Sequence, residues 1–248
     1  MKPLTNASSL PERLNRVQTQ ILQAATRAGR PPEDIELIAI SKTHAPEDIL
    51  EAMDAGLSVF GESRVQEARA KISLLPARAR WHFIGHLQRN KIRQTLGLGF
   101  ELLQSVDSLE LARDIQRIAA EDGFRPRVLL EINIAGESSK FGFSPSQVRA
   151  HIEPLLALDR LQIDGLMTIT PLAPEAESSR RYFAALRELR DALTHEYRVP
   201  MSHLSMGMSG DFAVAIEEGA TLIRVGSAIF GTRSGKGWRP GPDSATLD

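Results

Sequence analysis

The 248-residue chain is 42% hydrophobic and 25% charged, a balance that supplies a full core and excludes intrinsic disorder. Its net charge of −1 gives no bulk attraction to nucleic acid or to an anionic membrane surface, and with no cysteine disulfides and thiolate metal sites are excluded. The first residues lead into an amphipathic helix rather than an apolar signal core, and no apolar run approaches the roughly 20 residues that span a bilayer, so a cytoplasmic protein is expected.

The first helix is marked by the capping-box spacing of Ser9 and Glu12, by Pro11 in its first turn, and by a single apolar stripe through Leu14, Val17 and Ile21. Gly29 and Pro31-Pro32 stop it. One stripe means one buried face, so this helix is expected against the outside of the domain. Strand and helix patterns then alternate. Strands are expected over 36–41, 57–60, 81–84, 101–104, 128–134, 161–169, 203–205 and 221–225. Helices are expected over 46–55, 62–75, 87–96, 108–121, 145–156, 174–196, 211–218 and 227–230. Eight β–α units with short connections and nearly continuous apolar strands predict one (β/α)8 barrel of the α/β class, preceded by an extra helix. A doubly wound open sheet competes poorly, because the first strand lacks a Gly-rich turn after it. The expected division is residues 1–35 as a helix packed on the barrel, 36–233 as the barrel, and 234–248 as a mobile tail rich in Gly, Pro and Ser.

In such a barrel the active face lies at the C-terminal ends of the strands. There the run Leu37-Ile38-Ala39-Ile40-Ser41 ends on Lys42, whose parity matches Ile38 and Ile40 and points it inward. Burying an ammonium is costly, so Lys42 reads as a lysine that forms a Schiff base with an aldehyde. A lysine snorkelling to the rim is the level alternative. Ser209-Gly210-Asp211 and Gly226-Ser227 both enter helices after the seventh and eighth strands, where phosphate sites of such barrels are built. Each turn alone reads as ordinary N-capping; two turns facing one barrel lysine favour a phosphate. Arg224 interrupts the last apolar strand beside them. It reads either as an arginine paired with an acid from a neighbouring strand, or as the partner of a pyridine nitrogen in pyridoxal 5'-phosphate (PLP).

These stretches carry a resemblance. Ala39–Thr43, Phe60–Glu67, Trp81–Gly85, Leu87–Lys91, Gly165–Met167, Leu204–Asp211 and Arg224–Gly231 are similar to the signature blocks of the YggS/PROSC family of PLP homeostasis proteins, in the family's order. The resemblance implies a monomeric barrel akin to the N-terminal domain of alanine racemase, holding PLP as a Schiff base on Lys42. Its implied cofactor site is Lys42, Ser63, His82, Met167, Ser209, Gly210, Arg224, Gly226 and Ser227. Of these, Ser209, Gly226 and Ser227 would hold the phosphate and Arg224 the ring nitrogen. Ser63 stands where the family carries asparagine; it is shorter and has no amide to offer the ring.

Three functions compete: a PLP carrier or regulator in vitamin B6 homeostasis, a PLP-dependent amino-acid racemase of fold type III, and an aldolase-type Schiff-base barrel for another phosphate ligand. Racemization needs a second acid or base on the ring face opposite the lysine. The tyrosines, Tyr182 and Tyr197, fall on or just after the long helix expected on the barrel's outside, and no further domain is evident to supply one. Arg224 would also leave the ring nitrogen unprotonated and weaken the electron sink. The carrier is therefore expected, with no catalytic residues, no metal, and apo PLP-dependent enzymes as possible recipients. His44 and His86 read as rim residues, and Arg78, Arg80, Arg89, Lys91 and Arg93 as a solvated surface.

Overall fold

Ser9 starts the first helix as the spacing predicts. In the computed structural model, which describes residues 8–231 and Trp238, Ser9 caps α1 (Leu10–Arg27) reciprocally with Glu12. Its stripe of Leu10, Leu14, Val17 and Ile21 is buried, and the helix packs on α8 (Phe212–Glu217) and α9 (Ser227–Phe230). Arg13 Nε donates to Ile229 O at 2.6 Å, and Arg30 Nη1 donates to Ile216 O and Ala220 O at 2.8 Å. These charge-assisted bonds brace from behind the two short helices that follow the last strands. The expected tail over 234–248 lies outside the described residues, apart from Trp238.

Eight parallel strands close into a barrel in chain order: β1 (Glu36–Ile40), β2 (Val59–Glu62), β3 (Arg80–Phe83), β4 (Leu102–Val106), β5 (Arg127–Glu131), β6 (Gln162–Met167), β7 (His203–Ser205) and β8 (Leu222–Val225). Between them run α2 (Pro46–Asp54), α3 (Val65–Ile72), α4 (Ile92–Gly97), α5 (Leu109–Asp122), α6 (Pro145–Leu156) and α7 (Arg180–Tyr197). The barrel is the (β/α)8 fold that the alternating pattern predicts.

The strand period of two sorts the side chains. Ile38, Ile40, Val59, Leu102, Leu129, Met167 and Leu222 form a small cluster inside the barrel, while Ala39, Phe60, Phe83, Leu103, Leu130, Leu166 and Ile223 belong to the larger core shared with the helices. At the N-terminal end, Arg80 bonds Glu36 at 2.9 Å and Glu101 at 2.6 Å, and Arg127 bonds Asp164 at 2.5 Å. Arg80, expected as solvated surface, is thus tied into this ring. Arg89 pairs with Asp114, and Arg93 with Glu121 and Asp122, on the outer surface.

Element bounds differ from expectation where tertiary pairing overrides the local pattern. β2 begins two residues later than the apolar run at 57–60, because pairing Ala39 with Phe60 and Val59 with Arg80 sets its register. It also takes in Glu62, which no apolar pattern marks. The helix expected over 174–196 is a 3-10 turn over Ala176–Ser179 followed by α7, and residues 171–175 form a loop.

Candidate functional site

Lys42 follows β1 and continues its inward parity. The backbone turns at Lys42 and Thr43, and Thr43 has φ +69°, a left-handed conformation that is costly for a β-branched residue. The surroundings hold this turn on every side. Lys71 Nζ donates to Ser41 O at 2.8 Å, to Glu62 Oε1 at 2.8 Å and to Glu67 Oε1 at 2.6 Å. Ser41 Oγ donates to Glu62 Oε1 at 2.7 Å, and the Thr43 amide donates to Glu67. From the far end of the chain, the Trp238 amide donates to Thr43 O at 2.8 Å and its ring lies 5.4 Å from Lys71 Nζ. Lys71 and Glu62 are fully buried, and burial pushes the Glu62 carboxyl up while Lys71 opposes the shift. A desolvated Lys–Glu–Glu cluster therefore clamps the backbone on both sides of Lys42.

Across the mouth, Ser209 Oγ accepts from the amides of Gly226 at 3.2 Å and Ala228 at 3.3 Å, stitching together the turns after β7 and β8. Asp211 accepts from Met208 N at 2.7 Å and from Thr170 Oγ1 at 3.2 Å, which fixes the Ser209–Gly210 turn. Arg224, on β8, is 5% exposed. Its Nη1 donates to Ser205 Oγ at 2.5 Å and its Nη2 to Thr168 O at 2.7 Å. No carboxylate among the described residues forms a salt bridge with it, so the pairing with a neighbouring acid does not form; burial lowers its pKa to about 10, against the pull of Glu131 and Asp211.

These groups surround one cavity of about 830 Å³ at the C-terminal mouth of the barrel. Of the residues expected at the site, Lys42, Ser63, Ser209, Gly210, Arg224, Gly226 and Ser227 line it. His82 and Met167 do not. Both point inward but sit one layer lower, and Ile84 and Ile169, two residues further along their chains, take the wall positions instead. Ser63 is placed by a close backbone approach: a Cβ on Gly85 would lie 2.1 Å from Ser63 O. Gly85→Ala is expected to force these loops apart and to cost at least about 1–3 kcal/mol, read as a lower urea midpoint.

The cavity also holds residues that the sequence reading did not select. His86 lines it, with Nδ1 2.9 Å from Asp107 Oδ2 and its ring stacked on Phe141 at 3.7 Å. His44 lines the other side and stacks on Phe230 at 4.6 Å. Glu131 ends β5 as Lys42 follows β1: a charged residue closing an apolar strand at inward parity, a signal that could have found it. Burial, with Asp107 adding to it and Arg224 opposing it, holds its carboxyl up to about 7. The ordinary value is 4.5, so between these two values the folded state binds more protons than the unfolded one. Stability contributed by neutral Glu131 is therefore lost as pH rises through that window. Glu131→Gln is expected to change stability little at pH 5 and to raise it at pH 8 by up to about 3 kcal/mol, measured by urea unfolding at the two pH values.

The (β/α)8 barrel that carries this lysine, these turns and this arginine places the chain in the class of the alanine racemase N-terminal domain. The model of that domain matches residues 13–234. A protein of Aquifex aeolicus named pyridoxal phosphate homeostasis protein is 46% identical over 223 residues, covering 90% of this chain and 97% of the relative. The solved structure of PipY from Synechococcus elongatus PCC7942 with PLP bound is 39% identical, with a TM-score of 0.78, covering 90% of this chain and all of that one. The chain belongs to the pyridoxal phosphate homeostasis protein family. Alanine racemase of Clostridium difficile 630, at 18% identity and a TM-score of 0.66, shares the fold, and this chain covers 59% of its length.

Proposed function

We propose that this chain binds pyridoxal 5'-phosphate at the barrel mouth, with Lys42 as its covalent anchor, and serves as a carrier or regulator of PLP rather than as an enzyme of high turnover. The observation that carries the reading is one cavity bringing together an amine, two stitched turns rich in backbone N–H groups, and an unpaired-by-acid guanidinium. The donor set fits the cofactor. Two of the five guanidinium N–H groups of Arg224 are committed, to Ser205 and Thr168, which leaves three to meet an acceptor. Ser209, Gly210 and Ser227 would hold the phosphate, joined by Gly226 once its amide exchanges Ser209 Oγ for a phosphate oxygen, and Arg224 would meet the pyridine nitrogen. Lys42 Nζ would attack the aldehyde carbon, with loss of water. When bound, PLP supplies an electrophilic aldehyde and a conjugated ring that can withdraw electrons. Arg224 would favour an unprotonated ring nitrogen, because a guanidinium does not readily yield a proton.

The carrier reading also draws on what surrounds the cavity. Tyr182 and Tyr197 lie on α7, and neither lines the cavity. In this reading the chain is a cytoplasmic monomer, and apo PLP-dependent enzymes are its recipients. Among the described residues no helix is long and apolar enough to cross a membrane. A second reading, turnover of amino acids, draws on Glu131, an acid with a near-neutral pKa in the cavity wall. A panel of amino acids incubated with the PLP-loaded protein separates the two. Racemization or decarboxylation at about 1 per second or faster would reverse the assignment.

A further inference from the structure

Behind Arg224, inside the barrel, lies a row of buried polar side chains that no contact with the cavity explains. Arg224 Nη1 donates to Ser205 Oγ at 2.5 Å, Ser205 Oγ donates to Gln104 Oε1 at 2.7 Å, and Gln104 Nε2 lies 2.9 Å from His82 Nδ1. Ser205 and Gln104 are fully buried and His82 is 1% exposed. The row joins β8, β7, β4 and β3 across the barrel interior.

Its direction follows from the one member that can only donate. Arg224 offers N–H groups alone, so Ser205 Oγ must accept from it, and the single serine proton turns to Gln104. The Gln104 carbonyl receives that proton, which aims the amide N–H at His82. The opposite amide orientation would leave the Ser205 proton without an acceptor in a dry interior. An amide N–H can only donate, so His82 Nδ1 accepts and the ring is the neutral Nε2–H form. His82 Nε2 is buried without a partner, so no group at the far end fixes the opposite tautomer, and the direction is set from the Arg224 end. Burial, with Arg80, Arg127 and His203 adding to it and Glu101 opposing, holds the His82 pKa down to about 4.

We infer that Ser205, Gln104 and His82 are positioning residues for Arg224: a one-way hydrogen-bond relay that fixes the orientation of its guanidinium, so that the remaining N–H groups are aimed at the ligand acceptor in the cavity. This deepens the PLP assignment and rests on it. The relay neutralises nothing, unlike a carboxylate partner, so it orients the arginine without cancelling its charge. It accounts for the polar side chain of His82 a layer below the cavity wall, beside the apolar cluster of Ile38, Leu102 and Met167.

The relay is testable without cofactor. In ¹⁵N-labelled, ligand-free protein, His82 is expected as the neutral Nε2–H tautomer at pH 7. In Gln104→Glu, which keeps the shape but presents an acceptor to Nδ1, the tautomer is expected to switch to Nδ1–H or the ring to become charged. A His82 that is Nδ1–H in the parent, or that ignores Gln104→Glu, overturns the relay. In PLP-loaded protein, Ser205→Ala is expected to weaken PLP binding roughly tenfold and to shift the visible absorption band. Ser205→Thr, which keeps the hydroxyl, should restore both. Unchanged affinity and band in Ser205→Ala overturn the positioning role. A parent that fails to bind PLP overturns the cofactor assignment and the ring-positioning role with it, while the tautomer measurement still decides whether the relay exists.

Discussion

Lys42→Ala is expected to abolish the PLP absorption band of the loaded protein and to weaken retention of the ligand by at least about 100-fold, equivalent to about 2.7 kcal/mol. The alanine variant keeps the turns after β7 and β8 and Arg224, so weak, reversible binding should persist. What it loses is the amine proposed to bond the aldehyde. Lys42→Arg sharpens the test, since a guanidinium preserves the positive charge but stays protonated and cannot act as the nucleophile. Arginine should therefore behave like alanine in the spectrum. A parent-like band in either variant would place the covalent bond on another lysine, and mass mapping after borohydride reduction would identify it. A parent that stays colourless with added PLP would remove the cofactor reading altogether.

Lys71→Met is expected to cost about 3–5 kcal/mol of stability, the usual consequence of removing one partner from a buried ion cluster. Methionine fills similar space but leaves Glu62 and Glu67 facing each other without a counter-ion, and it removes one of two donors to Ser41 O, the His44 amide at 3.0 Å remaining. Both carboxylates hold the Lys42 turn, through Ser41 Oγ and the Thr43 amide. Unfolding should therefore begin at a lower urea concentration, and PLP affinity should fall in the protein that remains folded. Because protonating Glu62, whose pKa burial already raises, relieves the repulsion, the variant's stability deficit should shrink as pH falls. An unfolding free energy within about 0.5 kcal/mol of the parent's at pH 7, from urea unfolding, would show that the cluster contributes little beyond packing. Retained affinity with lowered stability would separate its structural role from its hold on Lys42.

The barrel was legible because its signals are local. Strands buried on both faces need nearly continuous apolar residues, and each helix needs one apolar stripe, so eight alternating patterns are readable without knowing any contact. Ser9 and Glu12 announced α1 by spacing alone, and the matching family blocks followed the chain from β1 to α9. The ends of elements were less readable. Whether Glu62 closes β2 depends on the partner waiting for it, and that partner is Lys71 on the next helix.

The site shows the same division. From the sequence alone came Lys42 at a strand tip, two small turns after the last strands, and an arginine among apolar neighbours; charge and strand parity suffice for these, because burying an ammonium or a guanidinium without a reason is too costly. Tertiary structure alone decided what those charges meet. It set Arg224 on Ser205 and Thr168 O rather than on an acid, lowered His82 and Met167 one layer beneath the cavity, and brought Glu131, His44 and His86 to its wall. It also assembled Lys71, Glu62 and Glu67 around the Lys42 turn. The physical reason is distance: parity tells which way a side chain points, but the closing of the barrel determines which strand lies opposite, and at what height.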